Sequence, residues 1–476
     1  MVDEKDHSSR SVTPGPITGE GLLVDPRRFT EGVTFPDPRL IRVYDTTLRD
    51  GEQTPGVAFS PEQKYTIARL LSDAGVHIID VGFPSVASSE REALRRIIRG
   101  KREGTIRDDL EILVMCRAVR TDVDAILRTL DEVGAAPDEI TFLTFTSASD
   151  LHIRVKLRDT LLRREGASDR GKDPAWFREA NVRMMEDICS YIRDHGVREI
   201  EFGTEDASRS DVEYLIELVR RTVAVGATRY IFPDTTGSLT PEATRFYVRR
   251  LLAAFPDLPM VCHFHNDFDL AAVNTIIALQ EGMHGFSVTV NGIGERAGNA
   301  ALHNVVVPLK VLYDVTIPGF RYDLLKPLSE LVESCSGVPV GPCEPAMGRN
   351  VFAHESGIHA HGVLREPRTY EPIPRDLLGT GVRFVYGKHT GLAILSATLE
   401  EHRARFEAEG LLLDDDLKES VLESVKAARE RRAVDGSAQR IIADYRSLLA
   451  RLEIGENEIL DIALAEARAR AAGTDG

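Results

Sequence analysis

The chain has 476 residues, 42% of them hydrophobic, and a formal charge of -16 at pH 7. That length holds a large core plus a smaller second region, and the acidic balance excludes nucleic acid and anionic membranes as general partners, because the mean field repels both. Cys116, Cys189, Cys262, Cys335 and Cys343 form no C-x-x-C pair, and no apolar run has membrane-spanning length or the order of a signal peptide. A cytoplasmic protein with reduced thiols is expected.

Residues 1–39 are polar and rich in Pro and Gly, and are expected to form a flexible N-terminal arm. Beyond them, apolar strand-like runs recur around Val43, Val81, Val114, Phe142, Phe202, Phe232, Val261 and Val288, each followed by helical periodicity. Ser60-Pro61-Glu62-Gln63 predicts a capped helix start, with Gly75 closing the helix. Thr121 with Asp124 predicts a second cap, ahead of a stripe of Val123, Ile126, Leu127, Leu130 and Val133 that ends at Gly134. Thr240-Pro241 opens another helix.

Strands that alternate with helices pair in parallel, and eight such units over about 250 to 280 residues predict a closed (β/α)8 barrel, a TIM barrel, over residues 40–318. The alternative, an open doubly wound sheet, lacks a Gly-rich loop after the first strand. The glycines of Gly292-Ile-Gly294-Glu-Arg-Ala-Gly298 have other spacing and follow the eighth strand. Asp150–Pro174 reads as an enlarged, charged loop on the catalytic face, suited to act as a lid. A first C-terminal subdomain is expected over 319–392 and a helical second one over 393–476, too helical for a β-rich ligand-sensing domain.

Barrel enzymes build their sites from the C-terminal ends of different strands. Arg49-Asp50 follows the first strand, Glu205 the fifth, Asp234-Thr235 the sixth and Asn299 the eighth, and His263-x-His265 ends the seventh. On a strand, His-x-His puts both imidazoles on one face. With Asp50 and the amide oxygen of Asn299 they make an O/N ligand set for one divalent ion, Mn2+, Mg2+, Co2+ or Zn2+, with positions left open for substrate. Taken singly, each group has an ordinary reading: Arg49-Asp50 as a surface pair, Glu205-Asp206 and Asp267 as helix caps. Their shared position at one end of consecutive units favours a site.

The motifs D-T-T-L-R-D-G-E-Q (45–53), D-V-G-F-P (80–84), S-D-L-H-I-R-V-K-L (149–157), E-D-A-S-R-S-D (205–211), P-D-T-T-G (233–237), H-F-H-N-D (263–267), N-G-I-G-E-R-A-G-N-A (291–300), H-E-S-G-I-H (354–359) and G-K-H-T-G (387–391) occur in this order. Over residues 40–395 the chain resembles the metal-dependent acyl-CoA:2-oxo acid condensing enzymes that include 2-isopropylmalate, homocitrate and citramalate synthases. The resemblance implies an acyltransferase acting on acetyl-CoA and a small 2-oxo acid. It implies Asp50, His263, His265 and Asn299 as metal ligands, and Arg49 facing the keto oxygen. Gln53, His152 and Thr235 would then hold substrate, with Glu205 beside them. It also implies a homodimer with shared sites, in which His359 and Tyr370, from the region after the barrel, reach the partner subunit's site; His359 is the candidate for proton transfer, relayed through Glu205 or Tyr370. Arg154 is a candidate for holding a distal carboxylate or phosphonate. The sequence leaves the oxo acid open and keeps as alternatives a specialised synthase acting on phosphonopyruvate or a related acid, a metal-dependent hydroxyacyl-CoA lyase, and a non-catalytic ligand-binding barrel. The tail lacks a β-rich regulatory region, so leucine feedback is not expected.

Overall fold

A computed structural model describes residues 32–433, 436–450 and 454–473. Eight short parallel strands, β1 (Arg42–Asp45), β2 (Ile78–Asp80), β3 (Glu111–Arg117), β4 (Thr141–Ser147), β5 (Ile200–Glu205), β6 (Arg229–Asp234), β7 (Met260–Phe264) and β8 (Gly285–Val288), close into a barrel in sequence order. The expected TIM barrel is the observed one.

Register decides which residues reach the interior. Met115 pairs with Leu143, Phe145 with Gly203, Gly203 with Ile231, Pro233 with His263 and His263 with Ser287. With a side-chain period of two, all of these face inward. The middle of the barrel is an apolar cluster of Tyr44, Ile78, Leu113, Met115, Leu143, Ile231 and Val261, a packed layer and not a pore.

The helix Pro61–Asp73 starts as its sequence predicts: Gln63 N–H donates to Ser60 Oγ (3.2 Å) and Ser60 N–H donates to Gln63 Oε1 (2.8 Å). Thr240 caps Pro241–Ala254 in the same way. The cap expected at Thr121 does not form. That helix runs Arg120–Val133 with Val119 at its N-cap, and the Asp122 carboxylate instead accepts from Arg117 N–H (3.1 Å) and Nε (2.8 Å). An acceptor one turn from the end of β3 is taken by the strand's own arginine.

The segment after β4 is not a loop. Asp150–His152 and Arg158–Arg164 are α-helical and are joined by a π-helical turn at Ile153–Leu157. Ile153 and Leu161 are buried and fasten the segment, so its apolar residues anchor what its charges suggested was free. Of the expected N-terminal arm, residues 1–31 lie outside the described residues; Phe35 packs on Tyr313 with ring centroids 5.1 Å apart.

Two compact units divide the chain, and the one holding the barrel runs on to Met347. Past residue 318, helix Leu325–Ser336 is tied to the barrel: its Ser329 carbonyl accepts from Asn291 Nδ2 (2.9 Å) in the loop after β8. The other unit, starting at Gly348, carries a pair of two-residue strands, Ala353–His354 and Arg383–Phe384, and helices that include Gly357–Arg365, Leu392–Glu401 and Asp415–Ala433. Among the described residues, no helix is long and apolar enough to cross a membrane.

Candidate metal centre and active-site cavity

A cavity of about 530 Å3 opens at the C-terminal ends of the strands, and its lining includes Arg49, Asp50, Gln53, Glu205, Thr235, His263 and His265. These residues are spread over more than two hundred positions of sequence. The barrel brings them together because each lies at the C-terminal end of a strand or in the segment that follows it.

Asp50, His263 and His265 are buried, and one ligand atom from each lies within 4.8 Å of the others. His263 Nε2 is 3.3 Å from His265 Nε2 and 3.4 Å from Asp50 Oδ2. The strand β7 stops at Phe264, so His265 sits one residue past it, in a bridge to Asn299. The two imidazoles still share a side. Ser287 Oγ, 3.0 Å from His263 Nδ1, orients that ring so that Nε2 faces its neighbours.

Asn299 joins this group through the chain's return after β8. Asn266 N–H donates to the Gly298 carbonyl and Ala300 N–H to the Phe264 carbonyl, which lays 298–300 along the end of β7. Asn299 Nδ2 donates to Asp50 Oδ1 (2.9 Å), while its Oδ1 is buried without a partner. Gly294 explains the glycines of this loop: a Cβ there would stand 2.1 Å from Asn299 Nδ2 and 3.1 Å from Asp50 Oδ1. Only a glycine lets the chain pass so close to these side chains.

The donor set fits a divalent cation. Three converging ligands and an orphaned amide oxygen leave positions for substrate, and burial, together with the neighbouring His263, holds His265 down to about 4, so the ring is neutral near pH 7. Burial pushes the Asp50 carboxyl up, but Arg49 and His263 outweigh it and hold the group well below the usual carboxylate range. Arg49 lies between two acids, its Nη1 2.6 Å from Asp50 Oδ2 and its Nε 2.7 Å from Asp80 Oδ2. Asp80, at the end of β2, is thus the group that aims Arg49.

Thr235 Oγ1 accepts from Asp206 N–H (2.8 Å), which leaves the hydroxyl proton to point elsewhere. Gln53 stands exposed at the rim. Glu205 accepts from Ser147 Oγ (3.2 Å) and is gripped by Lys156, whose Nζ lies 2.6 and 2.5 Å from its two oxygens. His152 is outside the cavity lining; its Nε2 is 3.5 Å from Asp206 Oδ2, behind Glu205. Arg154 is also outside, over the Phe177 ring at 4.2 Å.

The lining residues that sequence reasoning missed are Lys156, Glu295, Arg296 and an apolar set deeper in the barrel. The π-turn at Ile153–Leu157 rotates Lys156, not Arg154, toward the cavity, and no local pattern announces a π-turn. Arg296 sits at φ 55°, a strained value for a side chain other than glycine, and donates to Asp267 Oδ1 and Oδ2 (2.9 Å each). That pairing removes Asp267 from the helix cap that its position suggested. In the second unit, His359 and Tyr370 stack with ring centroids 4.0 Å apart.

Residues 40–326 match the HMGL-like family, and residues 346–433 match the "homocitrate synthase post-HMGL domain-like" family. The homocitrate synthase AksA of Methanopyrus kandleri is 40% identical over 85% of this chain and 92% of its own length. A probable 2-isopropylmalate synthase of Ignicoccus hospitalis is 42% identical over 74% of this chain and 80% of its own length. A putative (R)-citramalate synthase of Methanopyrus kandleri is 40% identical over 83% of this chain and 70% of its own length. By these matches the chain belongs to the HMGL-like family, together with homocitrate, 2-isopropylmalate and citramalate synthases.

Proposed function

We propose that the protein is an acyltransferase that condenses acetyl-CoA with a 2-oxo acid and hydrolyses the thioester, giving a 2-alkylmalate-type product and CoA. The observation that carries this reading is Arg49, fixed by Asp80 and Asp50 beside two buried imidazoles at the wall of an open cavity. Asp50, His263, His265 and Asn299 would hold one divalent ion, of the Mn2+, Mg2+, Co2+ or Zn2+ class. Such an ion supplies Lewis-acid polarisation of a chelated carbonyl.

The protein's own groups do the rest. Arg49 donates to the keto oxygen and stabilises the negative charge that develops there as the carbon nucleophile attacks. Its planar fork reaches oxygen and carboxylate at once. The Thr235 hydroxyl donates to the substrate carboxylate, and Gln53 holds it from the rim. Glu205, kept in place by Lys156, lies where a proton relay can pass. His359, stacked on Tyr370, is the proton-transfer residue, and the two act in the partner's site of a cytoplasmic homodimer. Complementation tests this last point: subunits altered at Asp50 and at His359 regain activity as a purified heterodimer if sites are shared, and stay inactive if each site is built from one chain. Cleavage of a hydroxyacyl-CoA is the less favoured reaction, because the match over 346–433 is to a region described after homocitrate synthase.

The test of the reaction is release of free CoA thiol from acetyl-CoA with a panel of 2-oxo acids, before and after chelation and metal restoration. Thiol release that needs both the oxo acid and the metal supports the reading; full activity in a demonstrably metal-free preparation contradicts it.

A further inference from the structure

Below the charged rim the cavity changes character. Its floor is Met115, Leu143, Phe145 and Ile231, and beneath them the apolar layer continues through Leu113 and Val261. One position in this floor has no side chain. Gly203 lies in β5 between Phe145 and Ile231, and a Cβ placed there would meet Ile231 Cγ2 at 3.0 Å, Phe145 Cβ at 3.7 Å and Leu143 Cδ1 at 4.0 Å. The surroundings of Gly203 are therefore carbon, and a methyl group there would press on Ile231.

The basic groups at the rim are matched. Three basic side chains line the cavity, and each lies against acid: Arg49 on Asp50 and Asp80, Lys156 on Glu205, Arg296 on Asp267. Below the floor, Arg229 is held by Glu111 and Glu201. An oxo acid bound by its own carboxylate and keto oxygen beside Asp50 and Arg49 has the floor within reach of its remaining carbons. An alkyl group there is stabilised by burial. A second carboxylate or a phosphonate would lie on carbon, or would have to pull Lys156 away from Glu205, and an unpaired charge in such a place is costly.

We propose that the cavity selects a 2-oxo acid with a bulky, uncharged apolar side chain, and that Gly203 sets how bulky that side chain can be. This rests on the reading of the site as a 2-oxo acid site given above. It assigns to Gly203, Met115, Leu143, Phe145 and Ile231 the choice among oxo acids, and it disfavours dicarboxylic acids and phosphonopyruvate as substrates.

Two measurements separate this inference from the reaction itself. The first is calorimetric titration of the Mn2+-loaded protein, without acetyl-CoA, with pyruvate, 2-oxoisovalerate, 4-methyl-2-oxopentanoate, 2-oxoglutarate and phosphonopyruvate. The second is kcat/KM for thiol release with the same acids. Branched apolar acids are expected to exceed 2-oxoglutarate and phosphonopyruvate by about a hundredfold or more in both. Gly203→Ala is expected to lower the ratio of branched acid to pyruvate in kcat/KM by about tenfold or more, since one methyl group in an apolar pocket is felt on that scale. If that variant does not fold, Met115→Ala, which widens the same floor, is expected to move the ratio the other way. Selective binding of branched acids without thiol release would overturn the acyl-transfer reading and uphold the apolar subsite. Preferred turnover of 2-oxoglutarate, lost in Lys156→Met, would uphold acyl transfer and overturn the subsite. Failure of every acid to bind would overturn both.

Discussion

At the C-terminal ends of the strands Arg49 lies between Asp50 and Asp80; at the N-terminal ends Arg229 lies between Glu111 (2.6 Å) and Glu201. Both are half-buried guanidinium groups between two carboxylates, Arg49 in the turn after β1 and Arg229 at the start of β6. They differ in what surrounds them. Arg49 neighbours two imidazoles and an orphaned amide oxygen and faces open space. Arg229 does not line that cavity and lies on the other side of the apolar layer, and Glu111 is also bonded by Thr141 Oγ1 (2.6 Å). A buried ion cluster alone does not mark a functional site; neighbours that can take a ligand, and room for one, do.

If the mouth cluster is the chemical one, damage there should remove turnover and damage at the base should remove stability. Asp50→Asn is expected to lower kcat by roughly a thousandfold or more and to weaken metal binding, because it removes an anionic ligand. Enzyme kinetics with metal analysis check this. Arg49→Lys keeps the charge and loses the planar fork, so kcat should fall about a hundredfold while metal stays bound. Near-normal turnover in that variant would make Arg49 a scaffold residue, like its counterpart below.

Arg229→Met at the base is expected to cost about 3 to 5 kcal/mol of stability by leaving Glu201 buried and unpaired, with kcat per folded molecule changed little. Glu201 responds to this environment already: burial pushes its carboxyl up, to about 7, although Arg229 opposes that rise. Adding Glu201→Leu to Arg229→Met should recover most of the loss in urea denaturation, since an apolar replacement leaves no stranded charge.

The barrel was legible in the sequence because all eight strands carry apolar runs and several helices carry their own caps, as Ser60 and Thr240 do. The metal candidates were legible for a related reason. Asp50 and the His263/His265 pair stand at strand ends, and a closed barrel leaves strand ends one place to converge. What escaped depends on contacts between distant segments. Thr121 looks like a cap until Arg117 claims the Asp122 carboxylate. Arg154 looks like an anion ligand until a π-turn faces Lys156 to the cavity and leaves Arg154 over Phe177. Gly203 reads as a weak strand residue until the register shows which carbon atoms surround it.

A smaller effect sharpens the contrast at the base. His77 Nδ1 accepts from Val43 N–H (3.0 Å), which requires a neutral ring, and burial, aided by Arg42 and Arg107, lowers its pKa to about 4. The unfolded chain takes up this proton near pH 6.5 and the folded chain near pH 4, so the group's contribution to stability is lost as pH falls through that window. His77→Asn keeps an acceptor that does not titrate. Its stability should fall less than that of the parent between pH 7 and pH 4, by on the order of 1 kcal/mol, measured by urea denaturation at the two pH values.

Mn2+ binding followed by electron paramagnetic resonance tests the central claim most directly, because it reads the mouth cluster without requiring turnover. Wild type and Arg229→Met should bind the ion alike, His263→Ala should bind it at least about tenfold more weakly, and adding a 2-oxo acid should change the spectrum of the bound ion. Mn2+ binding unaltered by His263→Ala, or a spectrum that none of the 2-oxo acids changes, would contradict the assignment of this cluster as the place where a metal and an oxo acid meet.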